Sequence, residues 1–424
     1  MKILLISYSF PPYNAIGAVR AMQLAAFLED KGHDVRIVAG DKLPYPVALD
    51  MPSLKARIFR ARFHNVEVPL NWARKFVGRG GSAAVGKPSG VQDSWMVRLV
   101  TLYRALFAIP DGQAGWYPAA MRAAKRACSD WTPDVIVSSA LPFTSHIVAS
   151  RLARRIQRPW IAEYRDLFAG NPYSDRPGWR RSLDHRIEKA TLSTAAAVVA
   201  VTPHAADELR RVHHKPTYVV MNGFDEAEQF SSLSPPNQPG RKLNILYTGI
   251  IYPGRRDPTP LFQAIRLMGE RGRRVNVSFY GQDLRGVRES AVEANVESQI
   301  TIGEPVSHSE SLRLQRQADI LLLLLWDDPR ERGTITGKVF EYVGAARPIL
   351  AIGCHDGLAS TLVRDRGLGA TASSPESIAN ALDRWLEQID AEGTVPSVPD
   401  LARRGLSRGE QFADYEKLLQ SVAL

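Results

Sequence analysis

The stretch that decides the fold runs Gly333-Thr-Ile-Thr-Gly-Lys-Val-Phe-Glu-Tyr-Val-Gly-Ala-Ala-Arg-Pro-Ile-Leu-Ala-Ile352. It begins with a polar turn, because glycine and threonine alternate there without any apolar periodicity. The spacing of the apolar residues then predicts a short helix over 337–346. The run from Pro348 onward predicts a buried strand. A helix that leads into a buried strand is the repeating element of an α/β domain.

The predicted helix has two chemically different faces. Its apolar residues recur at the spacing of a buried face; they are Val339, Phe340 and Val343. Lys338 and Glu341 share the opposite face. One face therefore packs against the domain and the other is available for binding.

Lys338 lies in the first turn of that helix. A cation there opposes the positive end of the helix dipole and costs about 0.3 to 1 kcal/mol, unless an anion lies between them. A phosphate would accept hydrogen bonds from the amides that follow Gly333 and from the lysine, and Glu341 would accept bonds from a sugar diol. The predicted donor-side residues in this stretch are Thr334, Thr336, Gly337, Lys338 and Glu341. The alternative is an ordinary Lys-Glu surface pair at i, i+3.

This stretch resembles the donor-binding helix of retaining glycosyltransferases of the GT-B fold. The family 4-like group among them includes many bacterial transferases of cell-surface polysaccharides. In that family the helix commonly carries two glutamates eight positions apart, the second for the ribose and the first for the donor sugar. Glu341 matches the second, whereas Gly333 stands at the first. The threonines and the lysine are similar to a branch that carries hydroxyls and a lysine there.

Length and composition predict two globular domains. The chain has 424 residues, of which 45% are apolar and 23% charged. Its two cysteines are too few for a metal framework and indicate a reducing, cytoplasmic compartment. The apolar amino terminus ends at Pro11 without a cleavage site, so it predicts a strand and not a signal peptide. The apolar run 321–326 is far shorter than the ~20 residues that cross a bilayer.

The first domain begins with a predicted strand over 3–7, a glycine-containing loop and a helix over 18–31. A second strand follows within 32–39, which completes a doubly wound unit. The loop lacks the GxGxxG pattern of a tight pyrophosphate clamp. In the resembled family this loop lies at the mouth of the interdomain cleft, so the resemblance implies acceptor-side roles for Gly17 and Arg20. The alternative for Gly17 is a plain turn glycine.

A strand predicted over 159–166 ends in Glu163, Arg165 and Asp166. Open parallel sheets bind ligands at this edge. The ending resembles the Asp-x-Arg-Asp of the family, with Glu163 in place of the first aspartate. Asp166 is the best candidate for the catalytic carboxylate, accompanied by Glu163, and Arg165 is predicted to orient it or to contact an acceptor phosphate. The alternative is a structural Arg-Asp pair.

The first domain is predicted over 1–228, a Pro/Ser-rich linker over 229–241 and a donor domain over 242–406, with a helix over 407–424 that returns to the first domain. The donor domain is expected to begin with a strand over 243–248 and a loop that contains Gly249. The resemblance implies that this glycine and either Arg255 or Arg256 hold the donor diphosphate. Further strands are predicted over 133–139, 195–201, 275–280, 300–302 and 320–325, and helices over 143–156 and 260–270. The segment 219–225 is expected to close the first domain.

Two neighbouring aspartates, Asp327 and Asp328, raise the possibility of a divalent-metal site. Arginines stand close by as alternative partners and no Asp-x-Asp is present, so no metal and no cofactor is expected.

The segment 51–110 carries ten basic and two acidic residues, which gives it a net charge of +8. The whole chain has a net charge of +10. Such a segment seeks an anionic partner. Its aromatic residues share an apolar helical pattern over 93–109 instead of alternating with the basic residues, so an anionic membrane surface is favoured over nucleic acid. A core helix would show the same pattern.

Two Rossmann-like domains that face a cleft therefore predict a metal-independent glycosyltransferase. The expected reaction transfers a hexose-type sugar from a nucleoside diphosphate sugar, preferably a UDP-sugar, to a saccharide or lipid-linked acceptor. Retention and a place in cell-surface polysaccharide synthesis are implied by the resemblance alone. The alternatives are a sugar epimerase or phosphorylase on the same fold, and a basic membrane- or nucleic-acid-binding protein with a degenerate site.

Overall fold

The computed structural model describes residues 1–14, 17–45, 47, 54–62, 106, 108–226, 234–252 and 254–423. Within this part of the chain no helix is both long and apolar enough to cross a membrane. The helix predicted over 93–109 and most of the basic segment fall outside the described residues.

The chain divides into two compact units, one formed by Met1–Met221 with Phe412–Leu424 and the other by Asn222–Gln411. The strands of the first unit are β1 (Lys2–Ser7), β2 (Asp34–Asp41), β3 (Arg57–Arg62), β4 (Val135–Ala140), β5 (Trp160–Tyr164), β6 (Ala197–Ala200) and β7 (Thr217–Val219). Its helices are α1 (Ala18–Asp30), α2 (Tyr117–Ala127), α3 (Thr144–Ile156), α4 (Gly178–Leu192) and α5 (Pro203–His213).

The sheet of the first unit has the strand order β3-β2-β1-β4-β5-β6-β7, and its neighbouring strands are parallel. Parallel sheets carry helices on both faces, which is why strands such as β4 are buried along their whole length. One face packs against α2 and α3, and the other packs against α1 and the end of the last helix.

The strands of the second unit are β8 (Leu243–Thr248), β9 (Val275–Tyr280), β10 (Ile300–Gly303), β11 (Ile320–Leu324), β12 (Ile349–Ile352) and β13 (Gly369–Ala372). Its helices are α6 (Thr259–Leu267), α7 (Arg285–Glu293), α8 (His308–Gln317), α9 (Gly337–Ala345), α10 (Leu358–Asp365), α11 (Pro375–Glu392) and α12 (Asp400–Arg403). The last helix, α13 (Arg408–Ala423), starts in this unit and ends in the first.

The sheet of the second unit is also parallel, in the order β10-β9-β8-β11-β12-β13. Two doubly wound α/β units therefore confirm the predicted fold class. The central position of β8 and β11 brings their carboxyl ends together, beside the start of α9. That edge is where open parallel sheets bind ligands.

The segment 219–225, which is expected to close the first domain, contains the end of the short strand β7, at Val219. The backbone carbonyls of Val220 and Met221 accept hydrogen bonds from the guanidinium of Arg20. A side chain thus satisfies these carbonyls in place of a neighbouring strand.

Candidate active site

Glu163 is a buried carboxylate near the carboxyl end of β5. Only 1% of it is exposed. Its Oε1 accepts a hydrogen bond of 2.8 Å from Ser139 Oγ at the end of β4, and its Oε2 lies 3.3 Å from a guanidinium nitrogen of Arg20. A buried carboxylate satisfied in this way holds neighbouring elements together, because its oxygens face protein groups. These contacts favour a positioning role for Glu163 over the catalytic role that the sequence suggests.

Arg20 is placed differently from the sequence expectation. Its side chain is buried, its guanidinium donates to the carbonyls of Val220 and Met221, and it lies over the ring of Phe412. A guanidinium engaged by two carbonyls, a carboxylate and an aromatic ring is part of the interior of the unit. From the sequence, Arg20 is expected to meet an anionic acceptor. In the structure its guanidinium is engaged inside the unit instead.

Arg165 is half-buried and clamps the loop after β4. Its Nε donates to the carbonyl of Ala140 at 2.8 Å and its Nη2 to that of Leu141 at 2.6 Å. Burial lowers the pKa of this guanidinium, and the nearby Glu163 carboxylate partly offsets that effect. Gly17 lies against the same guanidinium in a left-handed conformation with φ 82°, and a Cβ at this position would overlap it. Gly17 is thus more than a plain turn residue, because a larger side chain would displace Arg165.

Asp166 follows directly after this clamp and is exposed. Among the described residues, none forms a hydrogen bond or ion pair with its carboxylate. Arg165 donates to backbone carbonyls, and the charge of the neighbouring Asp166 carboxylate acts to raise the pKa of its guanidinium. Asp166 is a solvent-accessible carboxylate at the ligand-binding edge of the sheet, held in place by its neighbour.

Lys338 occupies the corresponding edge of the second unit. Its ammonium donates to the carbonyl of Thr248 at the end of β8. It lies 5.2 Å from the ring centroid of Tyr247 and 5.8 Å from that of Tyr342. Burial lowers the pKa of Lys338, and the Glu341 carboxylate partly offsets this effect. A cation held by one carbonyl and two aromatic faces retains donors for an anionic ligand.

Gly249 allows this close approach of the lysine to the end of β8. It adopts φ 137°, which side chains rarely take, and a Cβ there would press on the Lys338 ammonium. The glycine is therefore required by the position of the lysine.

Glu341 lies one turn further along α9 and is half-exposed. Its Oε2 accepts a hydrogen bond of 3.3 Å from Gln315 Nε2 on α8. The same amide nitrogen is 3.2 Å from Thr248 Oγ1. The carboxylate is thus oriented by a buried amide, and its lone pairs are only partly used.

The remaining donor-side candidates lie around the start of α9. Thr336 is the residue that precedes the helix, and its Oγ1 is buried and has no hydrogen-bond partner within the described structure. Gly337 is exposed at the first position of the helix, and Thr334 is half-buried, with its amide bonded to the carbonyl of Glu331. An unpartnered hydroxyl beside free helix amides is suited to a ligand oxygen.

The two candidate arginines differ in their contacts. Arg256 donates to the carbonyl of Ile250 at 3.3 Å and lies over the ring of Tyr252. Arg255 lies over the ring of Trp326, 4.6 Å from the ring centroid. No described residue accepts a hydrogen bond from the Arg255 guanidinium.

Asp328 is bound by Arg330 through both of its carboxylate oxygens, at 2.8 and 2.7 Å. This contact lowers the pKa of Asp328 to about 2. Asp328, one of the two candidate metal ligands in the sequence, is therefore neutralised by Arg330. Within the described ranges, no three His, Cys, Asp or Glu side chains come together as a metal site.

Sequence reasoning missed the residues that support this site. Gln315, Tyr247 and Tyr342 orient Glu341 and Lys338, and Ser139 holds Glu163. The burial of Gln315 within the polar helix α8 is seen only in the structure, because polar residues are mostly exposed.

Comparison with known proteins gives one family match. Residues 17–223 match the Glycosyl transferase 4-like domain. This range includes Gly17, Glu163, Arg165 and Asp166. No curated protein matches the chain in sequence.

Solved structures resemble the chain over nearly its whole length. HepE from Anabaena in complex with UDP has a TM-score of 0.61 at 13% identity, covering 99% of this chain and 100% of its own. A glycosyltransferase from Rickettsia africae gives 0.59 at 13% identity and covers 99% and 98%. Sucrose-phosphate synthase from Thermosynechococcus elongatus gives 0.56 at 16% identity and covers 100% and 96%. At these identities the likeness shows the fold.

The fold of these structures is GT-B, with the two doubly wound units described above. The family match covers the unit that contains Asp166, and the structural match extends to the unit that contains Lys338. The chain thus carries a glycosyl transferase 4-like domain within a GT-B fold, and the protein is a glycosyltransferase.

Proposed function

We propose that the protein transfers a hexose-type sugar from a nucleoside diphosphate sugar, with UDP as the favoured nucleotide, to a saccharide or lipid-linked acceptor. The observation that carries this proposal is the setting of Lys338. Its half-buried ammonium lies at the carboxyl end of β8 and beside the amides that begin α9. A nucleotide diphosphate would supply the negative charge that this arrangement lacks.

The donor contacts follow from the geometry of the second unit. The diphosphate would lie against Gly249, the ammonium of Lys338 and the amides and hydroxyls of 334–337. Glu341, oriented by Gln315, would accept hydrogen bonds from the ribose diol. HepE, which shares the fold, has been crystallised with UDP and with UDP-glucose. That likeness supports UDP as the first nucleotide to test.

The chemistry would take place at the edge of the first unit. Asp166 is an exposed carboxylate and Arg165 fixes the loop beside it. Negative charge placed near the reacting carbon would stabilise positive charge that develops on the sugar ring during transfer. Retention of the anomeric configuration belongs to the proposal because the resembled family retains it. NMR of the product, which reports the anomer directly, tests this part.

The proposed reaction needs no metal ion. The leaving diphosphate would be stabilised by Lys338 and Arg255, while Asp328 is occupied by Arg330. EDTA should leave turnover unchanged. Loss of activity in EDTA that is restored by Mg²⁺ or Mn²⁺ would assign Asp327 and Asp328 to a metal site instead.

The proposed place of action is the inner face of the plasma membrane, in the synthesis of a cell-surface polysaccharide. The first unit exposes the large apolar side chains of Leu106, Tyr173 and Trp179. Segment 51–110 adds a net charge of +8. Apolar side chains together with basic residues favour attachment to an anionic leaflet, where a lipid-linked acceptor would present its phosphate.

Nucleotide binding provides the first experiment. A screen of nucleoside diphosphates by thermal shift should show stabilisation, since a ligand at 100 times its dissociation constant adds about 2.7 kcal/mol. Calorimetry should then show that Lys338→Ala and Glu341→Ala each weaken binding about ten-fold or more, because a charged hydrogen bond is worth about 1.5 to 3 kcal/mol.

Two exposed residues of the same unit provide matched controls. Lys242 precedes β8 at its amino end and Glu293 ends α7. Lys242→Ala and Glu293→Ala should bind the nucleotide as the wild type does. Unchanged affinity in both Lys338→Ala and Glu341→Ala would overturn the donor site.

A further inference from the structure

The Trp326 indole contacts two guanidinium groups, because two arginines lie over this ring. The guanidinium carbon of Arg255 is 4.6 Å from the ring centroid and that of Arg330 is 4.7 Å from it. Trp326 follows β11, whereas Arg255 belongs to the loop after β8. The indole thus links the ends of the two central strands of the second unit. An exposed cation–π contact of this kind stabilises by about 0.5 to 1 kcal/mol.

The two arginines are held to different degrees. Arg330 is fixed by two hydrogen bonds to the carboxylate of Asp328, in addition to the indole. Arg255 is exposed, and its guanidinium lies over the ring of Trp326. Arg256 next to it already donates to the carbonyl of Ile250. Arg255 is therefore the arginine of this loop whose guanidinium has no hydrogen-bond acceptor among the described residues.

A guanidinium that lies over an aromatic ring keeps its N–H groups in its own plane, pointing away from that ring. Phosphate oxygens are bound in this plane, often through two parallel hydrogen bonds. The ring therefore restricts the orientation of the guanidinium without competing for its donors. This reduces the side-chain entropy that a flexible arginine loses when it binds.

We infer that Trp326 is a positioning residue that holds Arg255 against the diphosphate of the donor, while Asp328 holds Arg330 over the same ring. The inference rests on the proposed function and adds to it the choice of Arg255 over Arg256. It also implies that Trp326 acts on the ligand through Arg255, and not by stacking on a base or a sugar.

The test measures binding of UDP by calorimetry. Arg255→Ala should weaken binding about ten-fold, whereas Arg256→Ala should have a clearly smaller effect. Trp326→Leu should weaken it about two- to five-fold, the worth of the lost ring contact. Trp326→Phe keeps a ring and should recover most of the affinity.

A double-mutant cycle separates positioning from stacking. Once Arg255 is replaced by Ala, Trp326→Leu should cause no further loss of affinity, because the ring then no longer positions the arginine that binds the ligand. Equal losses from Trp326→Leu in the presence and absence of Arg255 would overturn the inference and show a direct contact of the indole with the ligand.

Intrinsic fluorescence gives a second readout that does not depend on turnover. UDP should change the tryptophan emission of the wild type. The contribution of Trp326 to this change should be absent in Trp326→Phe. An identical change in both proteins would also overturn the inference.

The outcomes distinguish this inference from the proposed function. If Lys338→Ala weakens UDP binding but Arg255→Ala and Trp326→Leu do not, the proposed donor site is supported and the proposed role of Trp326 is contradicted. If the wild type binds no nucleoside diphosphate, both the donor site and the role of Trp326 are contradicted.

Discussion

The carboxylate of Glu163 lies 3.3 Å from the guanidinium of Arg20, and both side chains are buried in the first unit. Arg20 lies in the first turn of α1 and Glu163 belongs to β5, so the pair joins two residues that are 143 positions apart in the chain. The same guanidinium binds the carbonyls of Val220 and Met221, the last residues of the first unit before the chain enters the second. One buried pair thus fixes the carboxyl end of β5 and the end of the unit.

Arg20→Met should destabilise the protein strongly, because it leaves the Glu163 carboxylate buried without its cation. Loss of one partner of a buried ion pair costs about 3 to 5 kcal/mol. The free energy of unfolding in urea measures this loss. Asp130→Asn breaks the pair of Arg36 with an exposed carboxylate and should cost much less.

The double variant Arg20→Met with Glu163→Gln should recover part of the lost stability, since no charge then remains unpaired. Equal stabilities of the Arg20→Met and Asp130→Asn variants would show that the Arg20 pair is not a structural anchor.

Asp166→Asn should abolish sugar transfer while nucleotide binding stays as in the wild type. The substitution keeps the shape of the side chain and removes the charge at the proposed reacting end. Steady-state kinetics and calorimetry with UDP measure the two effects separately. Asp207→Asn on α5 is the control, because that aspartate is an exposed surface partner of Arg210. Turnover within about ten-fold of the wild type would remove Asp166 from the reaction.

The affinity for UDP should fall as the pH rises through the lowered pKa of Lys338. Burial disfavours the ammonium, so the charge is lost at a lower pH than in an ordinary lysine. The affinity is measured by calorimetry from pH 8 up to the highest pH at which the protein remains folded. This range avoids the titration of the phosphate, whose second pKa is near 6.

Lys338→Arg is the matched variant for this pH profile. The guanidinium stays charged, so the affinity of this variant for UDP should be nearly independent of pH. The different shape of the arginine side chain can lower that affinity by the same factor at every pH. The same decline in both proteins would assign the pH dependence to another group.

The protein should sediment with vesicles that contain anionic lipid and should be released as salt rises, because the attraction is screened over about 10 Å at 0.1 M. Lys55→Glu with Arg62→Glu, two exposed residues near β3, should weaken sedimentation and leave UDP binding unchanged. Arg60 is unsuitable, since it donates to the carbonyls of Gly40 and Pro11.

Arg154→Glu with Arg155→Glu on α3 makes the same change of charge elsewhere on the unit and is the control. Equal sedimentation with neutral and anionic vesicles, or no sedimentation with either, would contradict attachment through this basic region.

The local pattern of the chain was sufficient for the alternation of strands and helices and for the two faces of α9. Lys338 and Glu341 share a face because a helix turns every 3.6 residues, which depends only on neighbours in sequence. Two doubly wound units followed from the number of buried strands and from the interval between them. The placement of Asp166 at a carboxyl strand end followed in the same way.

Tertiary structure alone decided which distant side chains meet. Gln315 orients Glu341 because α8 packs beside α9, and Arg20 is internal because it reaches Glu163 and the carbonyls after β7. Buried parallel strands have similar apolar sequences, so the sequence pattern does not state their order. Contacts with Ser139 and Arg20 bury Glu163, whereas Asp166 lies beyond the end of β5 and is exposed. The contacts within one loop distinguish Arg255 from Arg256.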